Sequence, residues 1–473
     1  LNFLLALARV SLISQIKLLV VTMTSTPSLE DSAQQVRILL KLQHADKSLE
    51  VPSEPIAVPA LLRRKALSAV VNHLLGRYVE RQDNHQDDDE DEEEDDKLPS
   101  ISFDFLIGGK LLRTTVEMAA RRHGLSLEKD LIIYYFPAQT EPESSGESEP
   151  QPDWISCIST INGHVITAGY DGNVRLFNND KLSAVTSVMA HTGPCKCMAT
   201  ALASDGSLIV ATGSLDHTLT SHQLLLEKEP QFVPVARYQQ GHSNSISTVD
   251  LYDDYMVSGD WNGGLAIWKL KQADQEAIVT KKLKRYDDDD TTRSSAVQSV
   301  EPLSTFSAHQ SQISGVAWLN DMQIATSSWD HSVKVWQIES SQQDCLITLN
   351  GSRVVSCLDK LSSQVVATGH PDCTIRLWDI RTSENKEASM LVSDTTLKPS
   401  HKAWVSAVQW SKENPYRLAS TSHDGTLKLW DIRSSLPLHT VATQDEKNFC
   451  LAHEERNIFT GGTDGIVKKY TSR

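Results

Sequence analysis

The sequence has little of what enzymes, secreted proteins and membrane proteins are usually built on. Its 473 residues include seven cysteines, an odd number with no Cys-x-x-Cys pair. A disulfide framework needs paired cysteines, so these read as reduced thiols of a cytosolic or nuclear protein. Cys195 and Cys197 stand as Cys-x-Cys, but no second ligand pair supports a metal or redox reading. No glycine-rich phosphate loop, metal-ligand cluster or nucleophile elbow occurs. No enzyme and no cofactor are therefore expected. Long apolar runs are also lacking. Residues 1–22 resemble a leader or short anchor, yet Arg9 and Lys17 break them into pieces too short to span a bilayer. The first methionine is Met23. The expectation is that residues 1–22 lie upstream of the true start and that residues 1–34 are disordered.

A broad surplus of one charge is missing too. The net charge is −16, but Asp87 to Asp96 is an unbroken run of ten acids, and removing it leaves −6. Adjacent acids repel and resist burial, so a disordered loop over 82–97 is expected, either merely solvated or bound to a basic partner. The rest of the chain lacks the positive field of a nonspecific nucleic-acid binder.

What the chain does have is repetition. A seven-residue phrase begins with Asp or Asn, alternates apolar residues and usually ends on an aromatic. It reads DGNVRLF from Asp171, DHTLTSH from Asp216, NGGLAIW from Asn262 and DHSVKVW from Asp330. It returns as DCTIRLW from Asp372, DGTLKLW from Asp424 and DGIVKKY from Asp464. The phrase ends are spaced 45, 46, 68, 42, 52 and 40 residues apart. An apolar strand precedes each phrase, and a four-stranded unit of this length must stack on its neighbours around an axis. The two long spacings read as polar loops, one of them carrying the basic cluster Lys281 to Arg285, an import signal, an RNA contact or neither.

Histidines stand 20 to 25 residues before four phrases: His191 before Asp216, His242 before Asn262, His309 before Asp330 and His401 before Asp424. A single such pair could be a general base and its orienter. Four pairs read as structure, because an active site is needed only once. Gly241-His242, Trp378-Asp379 and Trp430-Asp431 resemble the WD40 family, whose blades bury a network of His, Ser or Thr, Asp and Trp. The resemblance implies blade-network roles for these residues and for Trp336, Asp372, Trp378, Asp424 and Trp430. The second repeat departs from it by ending in His222, and the fifth by lacking its histidine. The chain ends just after the last phrase. Residues 137–153 read as a Pro-, Glu- and Ser-rich linker, a poor candidate for the strand that must close the ring.

Residues 35–136 carry a different pattern. Strand-like QVRILLKL (Gln35 to Leu42) and a hairpin partner in SLEVPSEPIAVP come first. A helix over Leu61 to Tyr78 and the acidic run follow. Then come a strand over Ile101 to Ile107, a short extended piece, a helix over Thr114 to His123 and a strand over Leu131 to Phe136. That order is a ubiquitin-like β-grasp. The expected fold is therefore mainly β: a β-grasp at 35–136, then a seven-bladed WD40 propeller over 154–473.

LSAVVNHLLG, FDFLIGGKLLRTTV and HGLSLEKDLIIYY resemble the NLE-type ubiquitin-like domain found before propellers in ribosome-assembly factors. From Ser32 onward the chain resembles the family of WD-repeat protein 12, called Ytm in yeast. The Notchless family has a similar front domain but eight repeats. The resemblance implies a non-enzymatic nucleolar and nucleoplasmic scaffold on precursors of the large ribosomal subunit. It implies a trimer with pescadillo and the block-of-proliferation protein, contacted propeller to propeller. It also implies docking of the ubiquitin-like domain on the AAA ATPase midasin, through an acid that completes a Mg²⁺ site. The matching acid is Glu128 in GLSLEKDL, with Glu117 and Asp104 as rivals. A WD40 substrate receptor of a ubiquitin ligase is the alternative. The β-grasp itself cannot be conjugated, because LIIYYF runs into Pro137 without a Gly-Gly end.

Overall fold

The computed structural model describes residues 35–77, 99–202, 206–226, 230–271, 298–338, 343–380, 401–443, 446–454 and 456–472. The N-terminal segment, the acidic run and the Lys281–Arg285 cluster lie outside these residues. The chain divides into two compact units, the first ending at Thr140 and the second beginning at Glu141.

The first unit begins with β1 (Gln35–Leu42) and β2 (Ile56–Pro59), followed by α1 (Arg64–Leu74). Next come β3 (Phe103–Ile107), β4 (Lys110–Leu111), α2 (Val116–Arg122) and β5 (Leu131–Pro137). The sheet order is β2-β1-β5-β3-β4, with β1 and β5 parallel and Ile38 opposite Leu131. Alternation in β1 sends Val36, Ile38 and Leu40 inward. They meet Leu67 and Val71 of α1 together with Phe105, Ile133 and Tyr135. α1 is shorter than its apolar pattern suggests and gives way at Gly76, whose φ of +70° suits glycine. The buried Asn72 pins the chain that returns after the acidic run. Its side chain donates to the Ile101 carbonyl at 2.7 Å and accepts from the Ile101 amide at 2.9 Å.

The second unit holds seven sheets among the described residues. Their inner strands are Ile155–Ile161, Cys195–Leu202, Ile246–Tyr252, Ile313–Trp318, Cys357–Lys360, Val405–Trp410 and Asn448–Glu454. Each inner strand contacts the next, and the last contacts the first, so the ring closes. We number the blades 1 to 7 in this order. Blade 2 gains a fifth strand, Gln298–Val300, parallel to Gln231–Tyr238. Blade 5 shows three strands among the described residues.

The closing strand lies inside the segment that reads as a linker. β6 (Glu143–Glu147) pairs antiparallel with Lys468–Thr471, with Glu147 opposite Lys468 and Glu143 opposite Thr471. Ser148 and Val467 extend the ladder: the Ser148 amide donates to the Val467 carbonyl, and the Val467 amide to Ser148 Oγ, both at 2.9 Å. The propeller therefore begins at Glu141 rather than at Trp154. β6 is the outermost strand of its blade and mostly exposed, so backbone pairing, helped by the Ser145 hydroxyl on Lys469 and Thr471, holds it and no apolar alternation is needed.

Side chains on the inner strands also tie blade to blade. Ser356 Oγ of blade 5 donates to the Val405 carbonyl of blade 6 at 2.6 Å. Asp250 of blade 3 accepts the Trp318 amide of blade 4 at 2.8 Å, and Asp359 of blade 5 accepts the Trp410 amide of blade 6 at 2.7 Å. Gln409 of blade 6 accepts the His453 amide of blade 7 at 2.7 Å.

Candidate functional site

Blade 4 shows the repeat chemistry in full. His309 Nδ1 lies 2.8 Å from Asp330 Oδ2, and its Nε2 lies 2.8 Å from Thr326 Oγ1. Trp336 Nε1 donates to the same Thr326 hydroxyl at 3.0 Å. A carboxylate only accepts, so Nδ1 carries the proton and Nε2 accepts from Thr326. Burial works against charge on Asp330, but the Ser332 hydroxyl, His309 and the Gln310 amide outweigh it and hold the carboxyl at about 2. Burial keeps the His309 imidazole below its ordinary value. At neutral pH the pair is a carboxylate and a neutral ring, both fully occupied. Both ring nitrogens are bonded within the blade and the imidazole is buried, so the arrangement binds the blade together.

Blade 6 repeats the network, with His401 3.3 Å from Asp424 and 2.8 Å from Ser420, and Trp430 2.8 Å from Ser420. In blade 2, His191 reaches Asp216 at 3.2 Å and Thr212 at 3.0 Å. His222 stands there in place of the aromatic. It is buried, its Nδ1 has no partner among the described residues, and burial lowers it to about 4.

Two blades depart from the expected pairing. His242 bonds Asp260 at 3.0 Å, not Asn262. Asp260 sits two residues earlier, at the end of the second strand, and its other oxygen accepts the Asn262 and Gly264 amides at 2.9 and 2.8 Å. A Cβ at Gly264 would come within 2.7 Å of the Asp260 carboxylate, so glycine there makes the room. The rest of that network is complete, with Ser258 bonded to His242 and to Trp268. Blade 5 lacks a preceding histidine, but His370 at the corresponding strand end supplies the ring. Its Nε2 lies 2.8 Å from Thr368, which also accepts Trp378 Nε1 at 2.7 Å. Asp372 turns instead to Arg376 at 3.0 Å. Asp171 pairs with Arg175 in blade 1, and Asp464 with Lys468 at 3.2 Å in blade 7. Each turn aspartate thus bonds either a histidine or the cation four residues on.

The Cys195 and Cys197 pair offers no reactive site. All seven cysteines are free, and burial raises Cys195 and Cys197 above the ordinary thiol range. Both remain thiols at neutral pH, whereas metal binding and exchange chemistry need thiolate. Among the described residues no group of three or more His, Cys, Asp or Glu could hold a metal. No helix among them is long and apolar enough to cross a membrane.

Glu128 stands apart from the networks. It lies in the loop between α2 and β5. Gly124, at φ +66°, ends the helix, and the Leu125 amide returns to the Ala120 carbonyl at 2.9 Å. Leu127 packs on the core, Asp130 pairs with Arg37 at 3.1 Å, and Leu131 is buried, so the loop is clamped on both sides of Glu128. The Glu128 amide bonds Ser126 Oγ at 3.3 Å, while the side chain is exposed with no ion-pair partner among the described residues. The rivals are committed. Asp104 is buried against Arg64 at 2.6 Å, and Glu117 pairs with Arg121 at 2.6 Å.

Family models match both units. The NLE (NUC135) domain covers residues 36–119, and the WD domain, G-beta repeat covers 183–220, 300–337, 343–379 and 393–431. The "Ribosome biogenesis protein WDR12 homolog" of Chlamydomonas reinhardtii is 31% identical over 472 residues, covering 93% of this chain and 99% of that protein. The chain belongs to the WDR12/YTM1 family of ribosome biogenesis proteins. The rice (Oryza sativa subsp. japonica) WDR12 homolog is 28% identical, covering 92% of this chain and 96% of that protein. YTM1 of Eremothecium gossypii is also 28% identical, covering 88% and 90%. The WD40 beta propeller domain of Doa1 superposes with a TM-score of 0.52 at 15% identity, over 70% of this chain and 97% of that one; this likeness speaks to the fold. Within this WDR12-type chain the matched repeats leave out the inner strands of blades 1, 3 and 7, although the His242–Ser258–Trp268 network of blade 3 is complete. The shift of the aspartate from 262 to 260 keeps its bond to the histidine.

Proposed function

We propose that this chain is a non-enzymatic assembly factor for the large ribosomal subunit, acting in the nucleolus and nucleoplasm during rRNA maturation. In this reading the propeller scaffolds a trimer with pescadillo and the block-of-proliferation protein on the precursor particle. The ubiquitin-like unit offers Glu128 to midasin, whose ATP-driven pulling releases the trimer. Family membership across nearly the whole chain supports the assembly role. The observation that carries the midasin contact is the Glu128 carboxylate, exposed and without an ion-pair partner among the described residues, on a loop held at both ends. Mg²⁺ takes hard oxygen ligands in octahedral geometry, and one such carboxylate can fill an open position in a partner's site. The saturated His–Asp networks argue against catalysis by the repeats.

The test is capture of the midasin metal-site domain by the full chain and by Glu128→Ala in Mg²⁺ buffer. The variant is expected to lose binding with an unchanged circular dichroism spectrum and unchanged pescadillo capture. Undiminished midasin binding sinks the assignment. Affinity purification from nuclear extract separates this reading from a ubiquitin-ligase receptor, which would bring down cullins instead of pescadillo and pre-ribosomal proteins.

A further inference from the structure

Neither the blade networks nor Glu128 accounts for the exposed tryptophans. Trp268, Trp318 and Trp430 are among the most deeply buried side chains. Trp154, Trp261, Trp329 and Trp404 are instead 40–47% exposed. Their places are equivalent. Trp154 and Trp404 immediately precede the inner strands of blades 1 and 6, while Trp261 and Trp329 immediately follow the second strands of blades 3 and 4. One backbone hydrogen bond links the two kinds of place within a blade, as from the His423 amide to the Trp404 carbonyl and from the Tyr170 amide to the Trp154 carbonyl, both 2.9 Å. The inner strands of a propeller start at one end of the ring, so all four indoles open on the same mouth.

The rings there form a continuous arc. Trp329 meets Trp404 edge-on at 6.4 Å, and Trp404 stacks on His423 at 6.1 Å with 15° between planes. His423 meets Phe449 at 5.5 Å, and Phe449 lies 5.7 Å from Trp154. Trp154 in turn meets Tyr170 at 5.5 Å. The arc runs from blade 4 through blades 6 and 7 to blade 1. Two cations converge on it. Lys196 Nζ lies 5.7 Å from the Tyr170 ring centre and donates to the phenol oxygen at 3.2 Å. Lys447 is exposed beside His423, and after burial the two lysines are the main influences that hold that imidazole down. No described carboxylate pairs with either lysine.

This chemistry selects a partner. Water-exposed indoles in a contiguous patch are what interfaces use as anchors. The unpaired ammonium groups call for carboxylates. Single-stranded nucleic acid also stacks on aromatic rings, but it needs a groove of one sign. Exposed Asp153 and Glu446 adjoin Trp154 and Lys447 in the chain, so the surface is of mixed sign, which suits spaced carboxylates between apolar residues better than a continuous phosphate chain. We propose that this mouth docks an extended segment of a partner protein in which acidic residues alternate with apolar or aromatic ones. An acidic side chain sits between Lys196 and Lys447, and its apolar neighbours lie on Trp154, Trp404 and Trp329. The site is separate from the Glu128 loop and stands whether or not that loop binds midasin.

The test uses the full chain and three fluorescein-labelled probes read by anisotropy. They are a dodecapeptide alternating Glu with Leu, the same peptide with Lys for Glu, and a twelve-nucleotide oligouridylate. Saturable binding of the acidic peptide alone is expected. The Lys196→Glu/Lys447→Glu double variant is expected to weaken it at least about tenfold, as charge reversal in a docking site does. Trp404→Ala should weaken it comparably, while Met189→Ala, at an exposed position on an outer strand, leaves it unchanged. Unchanged circular dichroism of the lysine variant separates lost contacts from lost fold. Failure of the acidic peptide to bind, equal binding of both peptides, preference for the oligouridylate, or full binding by a folded lysine variant would each overturn the proposal.

Discussion

Asp260 and Asn262 give opposite forecasts for two neighbouring substitutions. The Asp260 side chain is almost fully buried and accepts three hydrogen bonds, from His242 Nδ1, the Asn262 amide and the Gly264 amide. Asp260→Ala leaves all three donors without that acceptor. A hydrogen bond to a charged group contributes about 1.5–3 kcal/mol, and an orphaned buried donor costs about 1–3 kcal/mol. The two turn amides recover water once the turn loosens, so a loss of at least about 3 kcal/mol is expected, dominated by the buried imidazole. Asn262→Ala removes one exposed bond from Asn244 at 2.9 Å and should cost less than about 0.5 kcal/mol. All ten tryptophans lie at or beyond residue 154, so intrinsic fluorescence follows the propeller without interference from the β-grasp. Urea titration of the full chain should show a clearly lowered midpoint for Asp260→Ala and a nearly unmoved one for Asn262→Ala. Equal midpoints, or the reverse order, would refute the pairing of His242 with Asp260.

Deleting residues 143–147 removes the closing strand, so the fluorescence midpoint in urea should fall by more than for any single change in a surface loop; an unmoved midpoint would mean another segment closes the ring. Stability should decline on acidification in two stages. Between pH 6.5 and about 4 the unfolded chain protonates His222, His370 and His453 while burial keeps the folded rings neutral at about 4. Asp330, held at about 2 when folded, contributes stability that is complete above its unfolded value of 3.8 and is lost as pH falls toward 2. Titration of the unfolding midpoint from pH 8 to 3 checks the sign, and rising stability on the way from pH 6.5 to 4 would contradict it. Burial pushes Asp359 up to about 6, so its charge is strained at pH 8, while an Asn oxygen can still accept the Trp410 amide. Asp359→Asn should therefore hold or raise the midpoint by up to about 1 kcal/mol at pH 8, and a loss of several kcal/mol would show that the charge itself is needed.

How far each feature could be read from sequence followed from how it is held. The β-grasp strands carry their instruction locally: β1 matches QVRILLKL at both ends because its alternation decides which face is buried. The fold class was legible for the same reason, since each blade repeats that code. β6 was not, because an exposed outer strand is specified by the free edge of Lys468–Thr471 rather than by its own residues. The tryptophan arc was equally hidden. It is assembled from several blades at positions just outside the repeated phrase, and no local pattern reports that Trp329 meets Trp404. Glu128 became a candidate only through the family resemblance, as an exposed acid has no periodicity to betray it.

The departures in blades 3 and 5 share one physical cause. The position that ends the second strand holds Ser328 in blade 4 and Ser422 in blade 6, where each hydroxyl accepts the amide of the turn aspartate. In blade 3 the same position holds Asp260, and in blade 5 it holds His370. From this position Asp260 reaches His242 and His370 reaches Thr368, so each supplies the group missing from the usual place. What is constrained is the sum of satisfied donors and acceptors around the central hydroxyl: Ser258, Thr326, Thr368 and Ser420 each bond both a histidine and a tryptophan. A motif fixes residues at positions, whereas these four blades keep the bonds around the central hydroxyl. Blade 2 marks the limit of that tolerance. His222 replaces the tryptophan, Thr220 takes over the bond to Thr212 at 2.9 Å, and the imidazole, one nitrogen of which has no partner among the described residues, stays buried and uncharged at neutral pH.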